Sequence, residues 1–152
     1  MERRRIRPAR WIFRLIILVL AVPTAWIAWN QSTHNFATLQ PGRIYRSGQM
    51  TSRALAQTLR DHQIRSVINL RGPNPEEAWY RDELATTLEA DATQFDIPLS
   101  SCVWMSRVQL RGLIRVLDRC EYPAIIHCAW GSERTGLTSA ISVLLSPDGT
   151  LA

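Results

Sequence analysis

Four short apolar runs alternate with four segments of helical character, and that order constrains the fold more than any other feature of the chain. The runs are "RIYRSG", "RSVINLRG", "TQFDIPLS" and "PAIIHC". The last is continuously apolar up to its His-Cys end, as suits a strand buried on both faces. Between the runs, "SRALAQTLRDHQ" puts Leu55 and Leu59 on one face behind a Thr51 or Ser52 cap. "EEAWYRDELATTLEA" supplies a second helix, and "SRVQLRGLIRVLDRC" spaces Leu110, Leu113, Ile114 and Leu117 at helical intervals. "RTGLTSAISVLL" resumes a helical pattern after the last strand. Strand–helix alternation of this kind predicts an α/β domain whose central, mostly parallel sheet is flanked by helices. Ligands of such sheets bind beyond the carboxyl ends of the strands, and Cys128 falls at such an end.

A chain of 152 residues has room for one such domain. Its net charge of +5 does not belong to that domain. Residues 1–14 hold six arginines and one glutamate, whereas residues 15–152 hold twelve arginines and twelve acids. With no basic stripe across the folded part, nucleic acid is excluded as a partner. The charge precedes "LIILVLAVPTAWIAW", Leu15 to Trp29, which is free of charged residues. Residues 1–10 are read as a basic cytoplasmic leader and 11–29 as a transmembrane helix or signal peptide. The bulky "AWIAWNQ" lacks a small-residue cleavage site and favours an uncleaved anchor. The positive cluster would stay inside, leaving the domain extracytoplasmic, or periplasmic or secreted if the leader is cleaved. Residues 30–40 read as a polar linker and 41–152 as the domain, whose C-terminal part, interrupted at "SPDGTLA", reads as short or incomplete.

The stretch "AIIHCAWGSERTG", Ala124 to Gly136, carries the chemistry. A strand ends at His127, a helix begins near Arg134, and the connection contains Gly131. Such a turn aims successive backbone N–H groups into a concavity at a helix N-terminus, which favours a phosphate-like anion. The same field lowers the pKa of a cysteine and makes Cys128 a candidate nucleophile. Arg134 adds a bidentate clamp for two phosphate oxygens. Thr135 can donate to the thiolate and improve it as a leaving group. His127 is read as a buried orienter of the loop rather than a base.

"HCAWGSERTG" resembles the signature loop of the cysteine-dependent tyrosine and dual-specificity phosphatases. "NFATLQPGRIYRSGQMT", "IRSVINLRG" and "FDIPLS" extend the resemblance to atypical dual-specificity phosphatases across roughly residues 35–146. Low-molecular-weight tyrosine phosphatases place C-x5-R near the start of the domain, and rhodaneses have a shorter loop. The resemblance implies that Cys128 attacks phosphorus, that Arg134 and the amides of Ala129, Trp130, Gly131, Ser132, Thr135 and Gly136 hold the phosphoryl group, and that a general acid protonates the leaving oxygen. Two acids compete for that role. Asp96 lies 32 residues before the cysteine, the family's spacing, and Glu133 lies within the loop. Arg71 is read either as a substrate contact or as half of a surface salt bridge, with Tyr45, Arg46 and Gln49 equally open. Trp130 either packs or stacks on a substrate ring, packing being preferred.

The implied activity is hydrolysis of phosphomonoesters, on a phosphorylated protein or a small molecule, without metal or cofactor. The rival reading is a phosphate-binding pseudophosphatase. Cys102, Cys120 and Cys128 form an odd set with no zinc-ligand spacing. One disulfide, or oxidation of Cys128 resolved by Cys102 or Cys120, is open at this point.

Overall fold

The computed structural model of the chain describes residues 8–145. The first seven residues of the basic leader and the "SPDGTLA" end lie outside that range. The chain forms two units, divided after Thr33.

In the first unit, helix α1 covers Pro8–Ser32. Its segment Trp11–Trp29, 19 residues with none buried, is long and apolar enough to cross a membrane, a description that a signal sequence also meets.

The second unit is a five-stranded sheet with helices on both faces. Its strands are β1 (Ala37–Gln40), β2 (Ile44–Ser47), β3 (Ser66–Asn69), β4 (Thr93–Asp96) and β5 (Ala124–His127). The helices are α2 (Ser52–Asp61), α3 (Ala78–Glu89), α4 (Arg107–Arg119) and α5 (Glu133–Leu144). Strand order is β1-β2-β5-β3-β4, with β2, β5, β3 and β4 parallel and β1 antiparallel at the edge. The expected mostly parallel α/β sheet is what forms.

The segment read as a linker, residues 30–40, is instead structured at both ends. Its start continues α1 to Ser32, and Ala37–Gln40 is strand β1, paired with β2 from Ala37↔Arg46 to Gln40↔Ile44. An edge strand buries little, and the exposed Ala37 and Thr38 leave it without an apolar period. The second unit begins at His34.

Side chains alternate across the sheet as the period of two demands. Ile44, Ile68 and Ile126 face Leu113 and Leu117 of α4 in one apolar cluster. Tyr45, Val67 and Ile125 face Leu55 and Leu59 of α2 in another. Burying an aliphatic side chain of this size stabilises the fold by about 1.5–3 kcal/mol. Thr51 caps α2 by accepting from the Ala54 N–H, and a capping box of Ser106 and Gln109 starts α4.

The parallel register brings four strand ends into line. Ser47 pairs with His127, His127 with Asn69, and Asn69 with Asp96. Everything that follows His127 in the chain is thereby placed at the carboxyl edge of the sheet.

Candidate active site

Residues 128–132 connect β5 to α5, with Cys128 first and Ser132 as the N-cap residue of α5. The loop's carbonyls are tied outward. The amide nitrogen of Asn35 donates to the Trp130 and Gly131 carbonyls at 3.1 and 3.0 Å. The Gln49 N–H donates to the Ala129 carbonyl at 3.1 Å, and the Arg46 guanidinium donates to that of Gly131. With its carbonyls turned away, the loop presents its N–H groups to the sulfur. The N–H groups of Trp130, Gly131 and Thr135 all bond Cys128. Gly131 is obligatory here: its φ is +69°, and a Cβ would lie 2.6 Å from the Gly48 nitrogen and 2.7 Å from the Ser47 carbonyl carbon.

Burial alone would push the Cys128 thiol up. The Thr135 hydroxyl and the three backbone N–H groups outweigh it, and the thiol sits below its ordinary value. The Thr135 hydroxyl is itself buried and makes no hydrogen bond of ordinary geometry, and it stands near enough to the sulfur to lower the thiol.

Arg134, on the first turn of α5, donates to the Leu99 carbonyl at 3.3 Å and lies 3.5 Å from that of Leu70. Cys128, Trp130, Ser132, Glu133 and Arg134 line one cavity of about 440 Å³, together with Ser101 and Cys102. Trp130 does not pack, contrary to the preferred expectation: it is 71% exposed at the cavity mouth. Gly136 lies on α5 and donates its N–H to the Ser132 carbonyl, which makes it part of the helix rather than of the cradle.

The two acids part company. Asp96 ends β4, and its carboxylate accepts from Tyr80 at 2.5 Å, Asn69 at 2.7 Å and Gln94 at 3.3 Å. The Tyr80 phenol, bonded to Asp96 and partly desolvated, is pushed up to about 12, so it stays a donor. Asn69 is buried beneath and also bonds the Gly72 carbonyl and the Arg71 N–H. Asp96 thus clasps β3, β4 and α3 together. Glu133, by contrast, lines the Cys128 cavity and the adjoining one beside it.

Among the described residues, Arg71 forms no salt bridge. Its guanidinium stacks 3.4 Å over the Trp79 ring and donates to the Gln49 side-chain oxygen at 2.9 Å. Burial lowers its pKa, the neighbouring Arg134 lowers it further, and Glu83, Glu77 and Cys128 hold it up. Arg71 therefore shares the field of Cys128 and Arg134. Tyr45 belongs to the core, its hydroxyl accepting from the Gly42 N–H.

His127 is buried, with Nε2 3.2 Å from the Glu83 carboxylate. Glu83 was not singled out by sequence reasoning. A signal existed, since Glu83 occupies the inner face of α3 with Tyr80, Thr86 and Thr87, where an acid needs a reason. All three cysteines are free: Cys102 is exposed, and Cys120 is buried at the end of α4.

No protein-family model and no curated protein matches the chain. Among solved structures, the chain is similar to the catalytic domain of the PP-IP phosphatase Siw14 from S. cerevisiae. Identity is 24% and the TM-score 0.58, over 70% of this chain and 63% of that one. A DUF442 phosphatase-like protein of Shewanella putrefaciens matches at 17% identity and TM-score 0.61, over 72% and 67% of the two chains. Tk-PTP matches at 21% and 0.56, over 74% and 73%. The chain shares the fold of these phosphatase structures. The chain spans less than two thirds of the Siw14 domain that it matches.

Proposed function

We propose that the chain hydrolyses phosphomonoesters through a cysteinyl-phosphate intermediate. The observation that carries this reading is the Cys128 thiol, held low despite burial by N–H and O–H donors in the lining of a cavity that Arg134 also lines. Those amides and Arg134 suit the equatorial oxygens of a phosphoryl group. The thiolate attacks phosphorus, the P–O bond breaks, and the leaving alcohol takes a proton. Water then attacks the phosphocysteine, releasing orthophosphate and the thiolate, which the Thr135 hydroxyl stabilises as a leaving group.

Glu133 is assigned as the proton donor in the first step and the acceptor in the second. It faces the cavity, whereas all three donors around Asp96 would have to be given up for that acid to act. The loop side chains Ala129, Trp130 and Ser132 add no cation to Arg134. That supports a phosphorylated protein or small monoester as substrate over a polyphosphorylated one. With α1 as an anchor and the basic leader cytoplasmic, the domain works on the far side of a membrane.

The test is hydrolysis of p-nitrophenyl phosphate and of an alkyl phosphate by the full chain in detergent. Cys128→Ser should abolish both activities. Glu133→Gln should slow the alkyl phosphate by about 10²-fold or more and the nitrophenyl ester far less, since that leaving group needs little protonation. Asp96→Asn should lower thermal stability and leave the alkyl-to-aryl ratio unchanged. Orthophosphate binding without turnover by the wild-type chain would instead mark a pseudophosphatase.

A further inference from the structure

We infer that Glu83 is a positioning residue of this site: through Gln49 it holds Arg71 beside the phosphate cradle as a second cation for the phosphoryl oxygens. The inference rests on reading the Cys128 loop as a phosphate site. Its physical basis is a chain of polar contacts that runs from the buried Glu83 to the half-buried Gln49 and Arg71.

The Glu83 side chain is only 3% exposed, and burying a carboxylate is costly unless it is partnered. No lysine or arginine takes it up directly among the described residues. One carboxylate oxygen accepts from the Gln49 amide nitrogen at 2.5 Å, and the other lies 3.2 Å from His127 Nε2. The opposite end of Gln49 accepts from Arg71 at 2.9 Å. This order is dictated by chemistry. A carboxylate only accepts and a guanidinium only donates, so a primary amide between them can point one way only. Glu83 therefore polarises Gln49 and strengthens the acceptor that Arg71 meets.

The Gln49 backbone N–H is simultaneously bonded to the Ala129 carbonyl, which ties the relay to the cysteine loop itself. At the other end Trp79 lies flat under the guanidinium, so Arg71 is fixed from two directions. Arg71 has five N–H donors, of which one is spent on Gln49. Arg134 reaches to 3.5 Å from the carbonyl of Leu70, the residue before Arg71, so the two guanidinium groups stand on neighbouring backbone. Two guanidinium groups repel one another until a dianion sits between them. Beyond Glu83 lies His127, the residue before the nucleophile, its Nε2 within 3.2 Å of the carboxylate, so Glu83 also sits against the strand end that carries Cys128.

The inference separates two effects that a purely architectural acid would not separate. Dissociation constants for inorganic phosphate are measured by calorimetry on the full chain, with turnover of p-nitrophenyl phosphate and melting temperature alongside. Arg71→Ala and Glu83→Gln should each weaken phosphate binding about tenfold. In the Arg71→Ala background, Glu83→Gln should then cost less than about twofold in binding, because its route to phosphate is gone. Its effect on kcat, carried by His127, should persist in the double variant. Losses in phosphate affinity that multiply in the double variant would overturn the inference, as would a Glu83→Gln chain with lowered melting temperature and unchanged affinity. If Glu83→Gln does not fold, Gln49→Met cuts the same relay from a half-buried position and must show the same non-additivity with Arg71→Ala. The expected binding pattern without turnover in the wild-type chain would sink the hydrolytic reading and leave this inference standing.

Discussion

Cys120 and Cys128 belong to the same apolar cluster and are almost equally buried, at 6% and 3% exposure. Their thiols nevertheless move in opposite directions. Burial pushes Cys120 up, and the hydrogen bonding around it, from Tyr122 above all, does not offset that. Burial also opposes ionisation of Cys128, yet the Thr135 hydroxyl and three backbone N–H groups reverse the outcome. The cause is where each residue sits on its helix. Cys120 is the C-cap of α4, among carbonyls, and its thiol points at the Leu117 oxygen 3.7 Å away. Cys128 lies against the N-terminus of α5, among N–H groups that act on its sulfur. The two helix ends carry opposite partial charges. Depth in the core says little about the reactivity of a thiol; the donors around it decide.

The comparison can be broken most severely at Gly131. Replacing it with alanine puts a Cβ against the Ser47 and Gly48 backbone at a positive φ, so the cradle must shift. Gly131→Ala should remove turnover by at least about 10²-fold, as loss of oriented backbone donors does elsewhere, and Cys128 should then alkylate like Cys120. Iodoacetamide labelling at pH 7, read by mass spectrometry, checks this; unchanged Cys128 labelling would show that the amides are not what lowers its pKa.

Thr135→Val sharpens the contrast by removing one donor and keeping the shape. The thiol should rise toward its ordinary value of 9.0. The sign follows: the thiolate is the attacking form, so the acid limb of kcat/KM moves to higher pH and activity near pH 6 falls most, by about tenfold. Linkage gives a parallel effect on stability. A depressed Cys128 pKa contributes stability that is full above the unfolded thiol value and is lost as pH falls through the folded one. The slope of unfolding free energy against pH below 9 should therefore flatten in Thr135→Val, as urea titrations at several pH values would record.

The smallest effect is expected at Cys120. Cys120→Ala removes a buried thiol from the apolar cluster and should cost about 1 kcal/mol of stability, with Cys128 labelling and turnover unchanged. A shift in Cys128 reactivity would mean that the two ends of the cluster are coupled.

Much of this molecule was legible without coordinates. Continuous apolar runs of β-branched residues ending in His127 and Asn69 marked the inner parallel strands, because a strand covered on both faces has no polar side to hide. Edge strand β1 was missed for the opposite reason, since "ATLQ" is half in water and carries no period. The Cys128 loop could be read because its shape is mostly backbone: a strand, a glycine and a helix start are local features that sequence specifies directly. Spacing could not choose between Asp96 and Glu133. Nor could it show that Tyr80 and Asn69 reach Asp96 from another helix and another strand.

The sequence by itself determined the alternating α/β domain, the apolar N-terminal helix, and a cysteine and an arginine at either end of a strand-to-helix turn. All are set by residues close together in the chain, through periodicity, capping and turn chemistry. Only the tertiary structure decided which acid is engaged elsewhere, that Trp130 stands exposed, and that Glu83, Gln49 and Arg71 join His127 to the cradle. Those relations cross from α3 to β5 and from the end of β2 to the end of β3. They rest on a parallel register that aligns distant strand ends, and no local pattern of residues encodes such a meeting.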